Sequence, residues 1–382
     1  MNKPKVAVIS YFHTESSLML SKYLGDLADV DYYLFSTYNE DESPGFNYKN
    51  EKKRIGLVRV KDDLIYKFIN KPNVNLYLIR IVKHTEKKIF LFFNFLIVMY
   101  VIFRLNMRGY DYVNIIGNKP VLSIVHRFLR CKKKIHTFHE VIDHLSKRSI
   151  KNSIFDYVIK HRTKVIVHSE KSYLDIIEHT TIRRDDVVFI NFGLFETYKI
   201  YETTHRVVDE NDYVLFFGLI SPYKGLDILA EAIKLLEKEQ FKYKYVIAGY
   251  GDIENIEQIR ALDSVKIINR HIKNNEITDL IKNARVIVCP YKSASQSGIL
   301  MTVFLFNKPV IATKVGAFGE VISNDHNGIL INPNSPDELA FAIKKMYSDQ
   351  ELYNEIINNI EGFGKDTFDW RIIAKQTMAA FE

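Results

Sequence analysis

The sequence predicts an α/β protein built from two doubly wound domains in series. Three observations carry this. Short apolar, β-branched runs alternate with helix-length segments along most of the 382 residues. Residues 286–322 show the unit in full: a strand stopped by Pro290, a small polar loop at 293–298, a helix at 299–306, a stop at 307–309 and a strand at 310–313. Residues 196–212 (ETYKIYETTHRVVDEND) have no apolar period and read as a linker between two such series. The loop of such a unit lies at the carboxyl end of a strand, where the amides of the next helix favour an anion. The same pattern also fits an ordinary βαβ unit that holds no ligand.

In order, the first series reads as a strand at 5–10, a polar loop at 11–17, a helix at 18–27 and a strand at 30–36. Residues 37–50 are charged and aromatic without a period and read as loop. Residues 64–105 read as helix with a very apolar end. Then come a strand at 112–116, a helix at 121–129, a strand at 134–138, a helix at 153–161, a strand at 164–168, a helix at 171–178 and a strand at 187–191. The second series has strands at 213–217, 243–248, 266–269, 286–289, 310–313 and 328–331. Its helices are expected at 226–238, 275–283, 299–306 and 335–346, the last with Ser335 as N-cap. Two such halves with a linker between them lead us to expect a ligand cleft between domains.

Composition narrows the class. Apolar residues make up 47% and charged residues 26%, a globular balance. The two cysteines, Cys131 and Cys289, lie beside or within apolar runs, which suits a reducing cytoplasm rather than a disulfide framework. The chain enters a strand at once, so no signal peptide is expected. The net charge of +7 divides into 33 Lys+Arg against 21 Asp+Glu over residues 1–200 and 20 against 25 over the rest. A basic first half suits an anionic membrane or phosphate-bearing acceptor, or simply solvated lysine faces. No nucleic-acid-binding pattern is present, and no nucleic-acid partner is expected. The run at 89–103 (IFLFFNFLIVMYVIF), flanked by Lys87, Lys88, Arg104 and Arg108, is short for a membrane span of about 20 residues. It reads either as a helix buried in the first domain or as an interfacial helix on anionic lipid.

Several motifs follow one another in a familiar order: HTFHEVIDH (136–144), VIVHSEKS (165–172), FFGLISPYKGLDILAEAI (216–233), VIAGYGD (246–252), SGILMTVFLFNKPVIATKVGAFGEVI (297–322), NGILINPNSPDELAFAI (327–343) and FDWRIIAKQ (368–376). Together they resemble glycosyltransferase family four (group 1), retaining enzymes of the GT-B fold, whose two Rossmann-like domains face each other across a cleft. The resemblance implies an acceptor-binding domain at 1–195, a linker at 196–212, a nucleotide-sugar-binding domain at 213–367 and a C-terminal helix at 368–382 that returns to the first domain. Two departures stand out. Leu219 occupies the place where the family commonly has arginine. The family's usual pair of glutamates would fall at Ala294 and Thr302, and ASQSG (294–298) resembles a subgroup with a Gln-Ser-Gly donor loop.

The site residues follow from the resemblance joined to the chemistry of a diphosphate leaving group. Its developing charge needs a cation and oriented amides. Lys224 is the candidate cation, with Gly225 letting the backbone approach closely. Gly218, Gly249, Gly251, Gln296, Ser297, Gly298, Ile299 and Thr302 are the other donor-side candidates, and Arg270 and His271 border the base. His139 is expected beside the reacting sugar, with His136 and His144 structural. Glu140, His13 and Asn118 are the acceptor-side candidates. No metal and no cofactor are expected, because no acidic pair or His/Cys cluster has metal-ligand spacing. The expected function is transfer of a sugar from a nucleotide-sugar to a glycan or polyprenyl-linked acceptor in bacterial surface polysaccharide assembly, such as capsule or lipopolysaccharide. The expected location is cytoplasmic, peripheral on the inner face of the plasma membrane if 89–103 is interfacial. A disaccharide synthase on a soluble acceptor, and a non-catalytic relative or transferase partner subunit, are the alternatives.

Overall fold

Strand β1 (Lys5–Tyr11) sets the layering of the first half. Val6 and Val8 pack into one core, Ala7 and Ile9 into another on the opposite face, so the strand is buried on both sides. That is the signature of a parallel sheet covered by helices. The structure, a computed structural model, describes residues 3–37, 40, 42–43, 45–48, 54–82, 88–139, 153–201, 207–209, 211–252, 256–294 and 298–382. It divides into two units, Met1–Ile200 with Asp369–Glu382, and Tyr201–Phe368.

In unit 1 the chain continues through α1 (Thr14–Leu24), β2 (Asp29–Thr37), β3 (Glu42–Ser43), β4 (Phe46–Asn47), β5 (Gly56–Arg59), α2 (Asp63–Ile69), β6 (Val74–Ile81), α3 (Lys88–Asn106), β7 (Tyr110–Ile116), α4 (Val121–Phe128), β8 (Cys131–Phe138), α5 (Ser153–Lys160), β9 (Lys164–Val167), α6 (Glu170–His179) and β10 (Val187–Phe189). Among the described residues the sheet order is β10-β9-β8-β7-β1-β2-β6-β5, parallel except for β5. Unit 2 runs β11 (Tyr213–Phe217), α7 (Leu226–Lys238), β12 (Tyr245–Gly249), α8 (Ile256–Arg260), β13 (Val265–Asn269), α9 (Asn274–Asn283), β14 (Ala284–Cys289), α10 (Gly298–Leu305), β15 (Val310–Thr313), α11 (Phe318–Val321), β16 (Ile329–Ile331), α12 (Pro336–Ser348) and α13 (Gln350–Thr367). Its sheet, β13-β12-β11-β14-β15-β16, is parallel throughout. The last helix, α14 (Trp370–Ala380), packs with α1 and α2 on the core of unit 1 that holds Val6 and Val8.

Several expectations are corrected. The helix expected over 64–105 is two helices with β6 between them. Asn70 takes a left-handed turn (φ 50°) that ends α2, and Pro72 follows. VNLYLIRI then forms a strand buried on both faces, so it lacks the alternation that marks a half-exposed strand. The stretch at 37–50 holds the hairpin β3/β4, which turns Phe46 into the core, and Tyr48 just after it is buried as well. Helix α1 begins within the expected polar loop, because the Ser16 and Ser17 hydroxyls donate back to the His13 carbonyl at 3.1 and 2.8 Å. Of the expected linker, Glu196–Tyr201 is a 3-10 helix whose Thr197 and Tyr198 are buried in unit 1, and residues 202–206 and 210 lie outside the described residues. The Ser335 side chain makes no cap bond; Pro336 begins α12 instead. Helices α8, α11 and α13 and strand β5 add to the expected set, α13 being capped by Asp349, whose carboxylate accepts from the Leu352 amide at 3.0 Å.

Trp370 is the chain's single tryptophan and ties α14 down: its indole donates to the Leu194 carbonyl at 2.7 Å and its ring is almost fully buried. Trp370→Ala should therefore cost about 3–5 kcal/mol, the usual cost of emptying a large aromatic site. Trp370→Phe should cost less. Urea melts followed by circular dichroism check this, and wild-type tryptophan fluorescence reports the melting of unit 1 alone. A Trp370→Ala midpoint equal to wild type would show that α14 adds no stability.

Candidate active site

In unit 2 the sheet order reverses direction between β11 and β14, and the loops at their carboxyl ends carry the donor-side candidates. A doubly wound sheet opens its crevice at such a point. The loops are joined backbone to backbone. Gly225 sits in a left-handed conformation (φ 71°), and a Cβ there would stand 1.9 Å from the Pro290 carbonyl oxygen. A Cβ on Gly249 would stand 1.8 Å from the Gly218 carbonyl oxygen, so β11 and β12 end in contact only a glycine permits. The amide of Lys292 donates to the Tyr223 carbonyl at 2.7 Å.

These contacts hold Lys224. Its side chain is 9% exposed, with Nζ 5.3 Å from the centre of the Tyr291 ring and beside the bare Cα of Gly218. Among the described residues no carboxylate pairs with it. Burial pulls its pKa down from 10.5 to about 8, while burial pushes the neighbouring Cys289 thiol up to about 12. A buried ammonium without a counter-charge is expensive, and an anionic ligand relieves the cost.

The other donor-side candidates fall as follows. Gly251 touches the Ile220 backbone, and the Ile220 amide donates to the Tyr250 carbonyl at 2.8 Å. Gly298 and Ile299 open α10 and are half-buried, whereas Thr302 is enclosed within that helix's packing. Arg270 and His271 are exposed beyond β13. Both Arg270 Nη atoms reach the Glu276 carboxylate at 2.8 Å, holding the Glu276 pKa below its ordinary value, so this guanidinium is already matched. Leu219 is 56% exposed, an apolar side chain offered to solvent. Gln296 and Ser297 lie outside the described residues.

In unit 1 the candidates His139, Asn118 and His13 follow the adjacent strands β8, β7 and β1 at their carboxyl ends. His13, left-handed at φ 54°, stacks on His139 with ring centres 3.8 Å apart and planes 12° apart. His168 lies 4.9 Å from His139, and Phe192 lies 5.0 and 4.1 Å from His139 and His168. One nitrogen of His168 is bonded to the Ile190 carbonyl at 2.8 Å, whereas Nε2 of the buried His139 has no partner among the described residues. Burial first, and then the neighbouring rings, lower the His139 pKa well below 6.5. Burial also takes His13 and His168 to about 4, with His168 and Lys119 adding to the effect on His13. The cluster is neutral at physiological pH. Asn118 follows Gly117 at the end of β7, and the Lys119 ammonium lies 5.1 Å above the Phe12 ring. His136 sits deeper, its Nε2 2.7 Å from the Gly117 carbonyl. Glu140 and His144 lie outside the described residues. His168, Phe192, Lys119 and Glu15 were not singled out from sequence. His168 alone carried a signal, since it ends a strand just as His139 does. Glu15, whose pKa burial raises to about 6, accepts from the Tyr198 hydroxyl at 3.3 Å. Among the described residues no group of three His, Cys, Asp or Glu side chains is placed to hold a metal ion.

Residues 211–349 match the family model described as "Glycosyl transferases group 1". That stretch lies within unit 2. An uncharacterized glycosyltransferase of Methanocaldococcus jannaschii is 31% identical over 166 residues, 42% of this chain and 46% of that one. CapM, a capsular polysaccharide biosynthesis glycosyltransferase of Staphylococcus aureus, is 21% identical over 226 residues, 55% of this chain and 59% of that one. The chain thus spans about half the length of these curated relatives. HepE of Anabaena, solved with UDP-glucose, superposes with a TM-score of 0.66 over 98% of both chains at 16% identity. The chain accordingly has the GT-B glycosyltransferase fold.

The buried histidines make stability pH-dependent. Unfolded, they take up protons near 6.5; folded, His13 and His168 do so only near 4, and His136 near 3. Between those values the unfolded chain holds more protons, so stability is full above about pH 6.5 and falls as the pH drops toward 4. Thermal midpoints measured from pH 7.5 to 4.5 should decline below 6.5, and less steeply in His168→Asn. A midpoint that is flat across this range would mean the rings are protonated in the fold.

Proposed function

We propose that the chain is a glycosyltransferase that moves a sugar, with retention, from a nucleotide-sugar to a glycan or lipid-linked acceptor in bacterial surface polysaccharide assembly. The observation that carries the reading is Lys224, a buried cation with no carboxylate partner among the described residues, at the switch point of the domain that matches the group 1 glycosyltransferase model. The UDP-glucose held by the structural neighbour HepE and the capsular role in CapM's name support the donor class and the setting. Unit 2 takes the nucleotide-sugar and unit 1 the acceptor, in the cytoplasm.

The step breaks the bond between the anomeric carbon and the diphosphate oxygen. The diphosphate leaves with the bonding electrons, and the Lys224 ammonium and the first amides of α10 stabilise its charge. The acceptor hydroxyl attacks from the same face, and its proton passes to the departing phosphate oxygen. His139, neutral and with one ring nitrogen unmatched among the described residues, offers a hydrogen bond to a sugar hydroxyl without adding charge. In this scheme the leaving group needs no metal ion. The exposed Leu219, in the position where the family commonly has arginine, favours the second reading: a relative that binds the sugar nucleotide without turning it over.

Lys224→Ala should lower the transfer rate by on the order of a hundredfold, comparable to losing one oxyanion donor. EDTA should leave the wild-type rate unchanged, and Leu219→Arg should keep or tighten binding of the nucleoside diphosphate. Because the protonated lysine is the binding form, affinity for that ligand should fall as pH rises through about 8. Initial rates with the preferred donor, and calorimetry with UDP from pH 7 to 9.5, measure these effects. A Lys224→Ala protein at near-full rate, or a wild type stopped by EDTA, would sink the mechanism. UDP binding without turnover of any donor would establish the second reading.

A further inference from the structure

Helix α3 is apolar on both sides but packed on only one. Val98, Val101, Ile102 and Leu105 point into the sheet, and Asn94, the polar residue of the run, bonds both the amide and the carbonyl of Val82 at 2.9 Å. The opposite stripe, Phe92, Leu96, Tyr100, Phe103 and Met107, is 48–74% exposed, and Phe128 of α4 extends it at 44%. So large an exposed apolar strip marks a surface that something covers. By length and composition the helix could cross a membrane, but its inner stripe belongs to the core of unit 1 and keeps it on the sheet.

The charge beside the strip says what covers it. From 88 to 134 the sequence has nine Lys and Arg and one acid, Asp111, which is paired with Lys132 at 2.7 Å. At the end of α3, Asn106 bonds the Phe128 carbonyl at 3.1 Å and the Arg130 amide at 2.7 Å, so the strip runs directly into β8. There a groove of about 520 Å³ is lined by Arg127, Lys132, Lys133, Lys134, Arg162 and Lys164. Of its two acidic residues, Asp186 pairs with Arg183, and the main-chain oxygen of Glu382 accepts from Lys133 Nζ at 2.8 Å. A second copy docked on α3 would bring two such basic rims together, which charge repulsion opposes. An anionic phospholipid surface satisfies both halves, with acyl chains against the strip and headgroups in the groove.

We propose that α3 and the basic groove beside it form a docking face on which unit 1 lies in the plane of an anionic phospholipid bilayer. This goes beyond the transferase reading and stands on unit 1 alone. Flotation of the full chain with phosphatidylcholine vesicles, with or without phosphatidylglycerol, tests it. Binding should require phosphatidylglycerol and weaken as salt rises. Phe92→Asp with Phe103→Asp should reduce it about tenfold or more, and so should Arg127→Glu with Lys164→Glu. Met107→Gln with Phe128→Gln is the milder second pair, and circular dichroism and UDP calorimetry should match wild type in all of them. Failure of wild type to bind UDP would count against the transferase reading while leaving the flotation result intact. No binding at low salt, binding indifferent to every pair, or a wild-type dimer abolished by the Phe92 and Phe103 changes would overturn the proposal. The last outcome would assign the strip to a second copy.

Discussion

An ammonium group buried without a counter-charge among the described residues is the constraint around which unit 2 is arranged. Desolvation alone would expel Lys224 or strip its proton, and the fall of its pKa to about 8 records that pressure. What holds the side chain in place is backbone. The Gly225 contact with Pro290 and the Gly249 contact with Gly218 leave the loops no freedom to let the lysine swing out. The cost is tolerated because an anion can be bound there with little further ordering. This is preorganisation in its usual sense, a polar environment built before the ligand arrives.

Unit 1 solves a different problem with the same sheet geometry. At its carboxyl ends it gathers a phenyl ring and three imidazoles, the imidazoles kept uncharged mainly by burial. Such a cluster offers flat apolar faces and, at His139 Nε2, a nitrogen with no partner among the described residues. On the reading proposed above, charge falls to the lysine of the second unit and neutral recognition to the histidines of the first.

Most of the fold was legible because parallel strands in this chain are punctuated clearly. Pro290 stops β14, and short β-branched runs mark β1, β9 and β15. The failures have a common cause. A strand buried on both faces carries no alternation, so β6 merged with its neighbouring helices although Asn70 and Pro72 stood between them. Aromatic residues in an aperiodic stretch, Phe46 and Tyr48, were read as loop because their partners in the core are distant in sequence. A motif marks Lys224 and His139 in the sequence, and the structure buries both side chains. His168 and Phe192 escaped because their role comes from stacking, which only the folded strands create. Arg270, expected to border the base, has its guanidinium held in two bonds by Glu276, six residues on.

Helix α3 shows the limit of periodicity most clearly. A helix with one apolar face announces its partner by where the face lies; a helix apolar all round does not. Two readings therefore stood level in the sequence, a buried helix and an interfacial one. The structure divides the helix between core and solvent. The stripe at 98, 101, 102 and 105 is core, and the stripe at 92, 96, 100, 103 and 107 is not. Asn94 explains how the two coexist. Its side chain bonds the end of β6, so the helix is fixed to the sheet by hydrogen bonds as well as by packing. With its inner face secured in that way, the outer face can be as apolar as a membrane-facing surface without drawing the helix out of the fold.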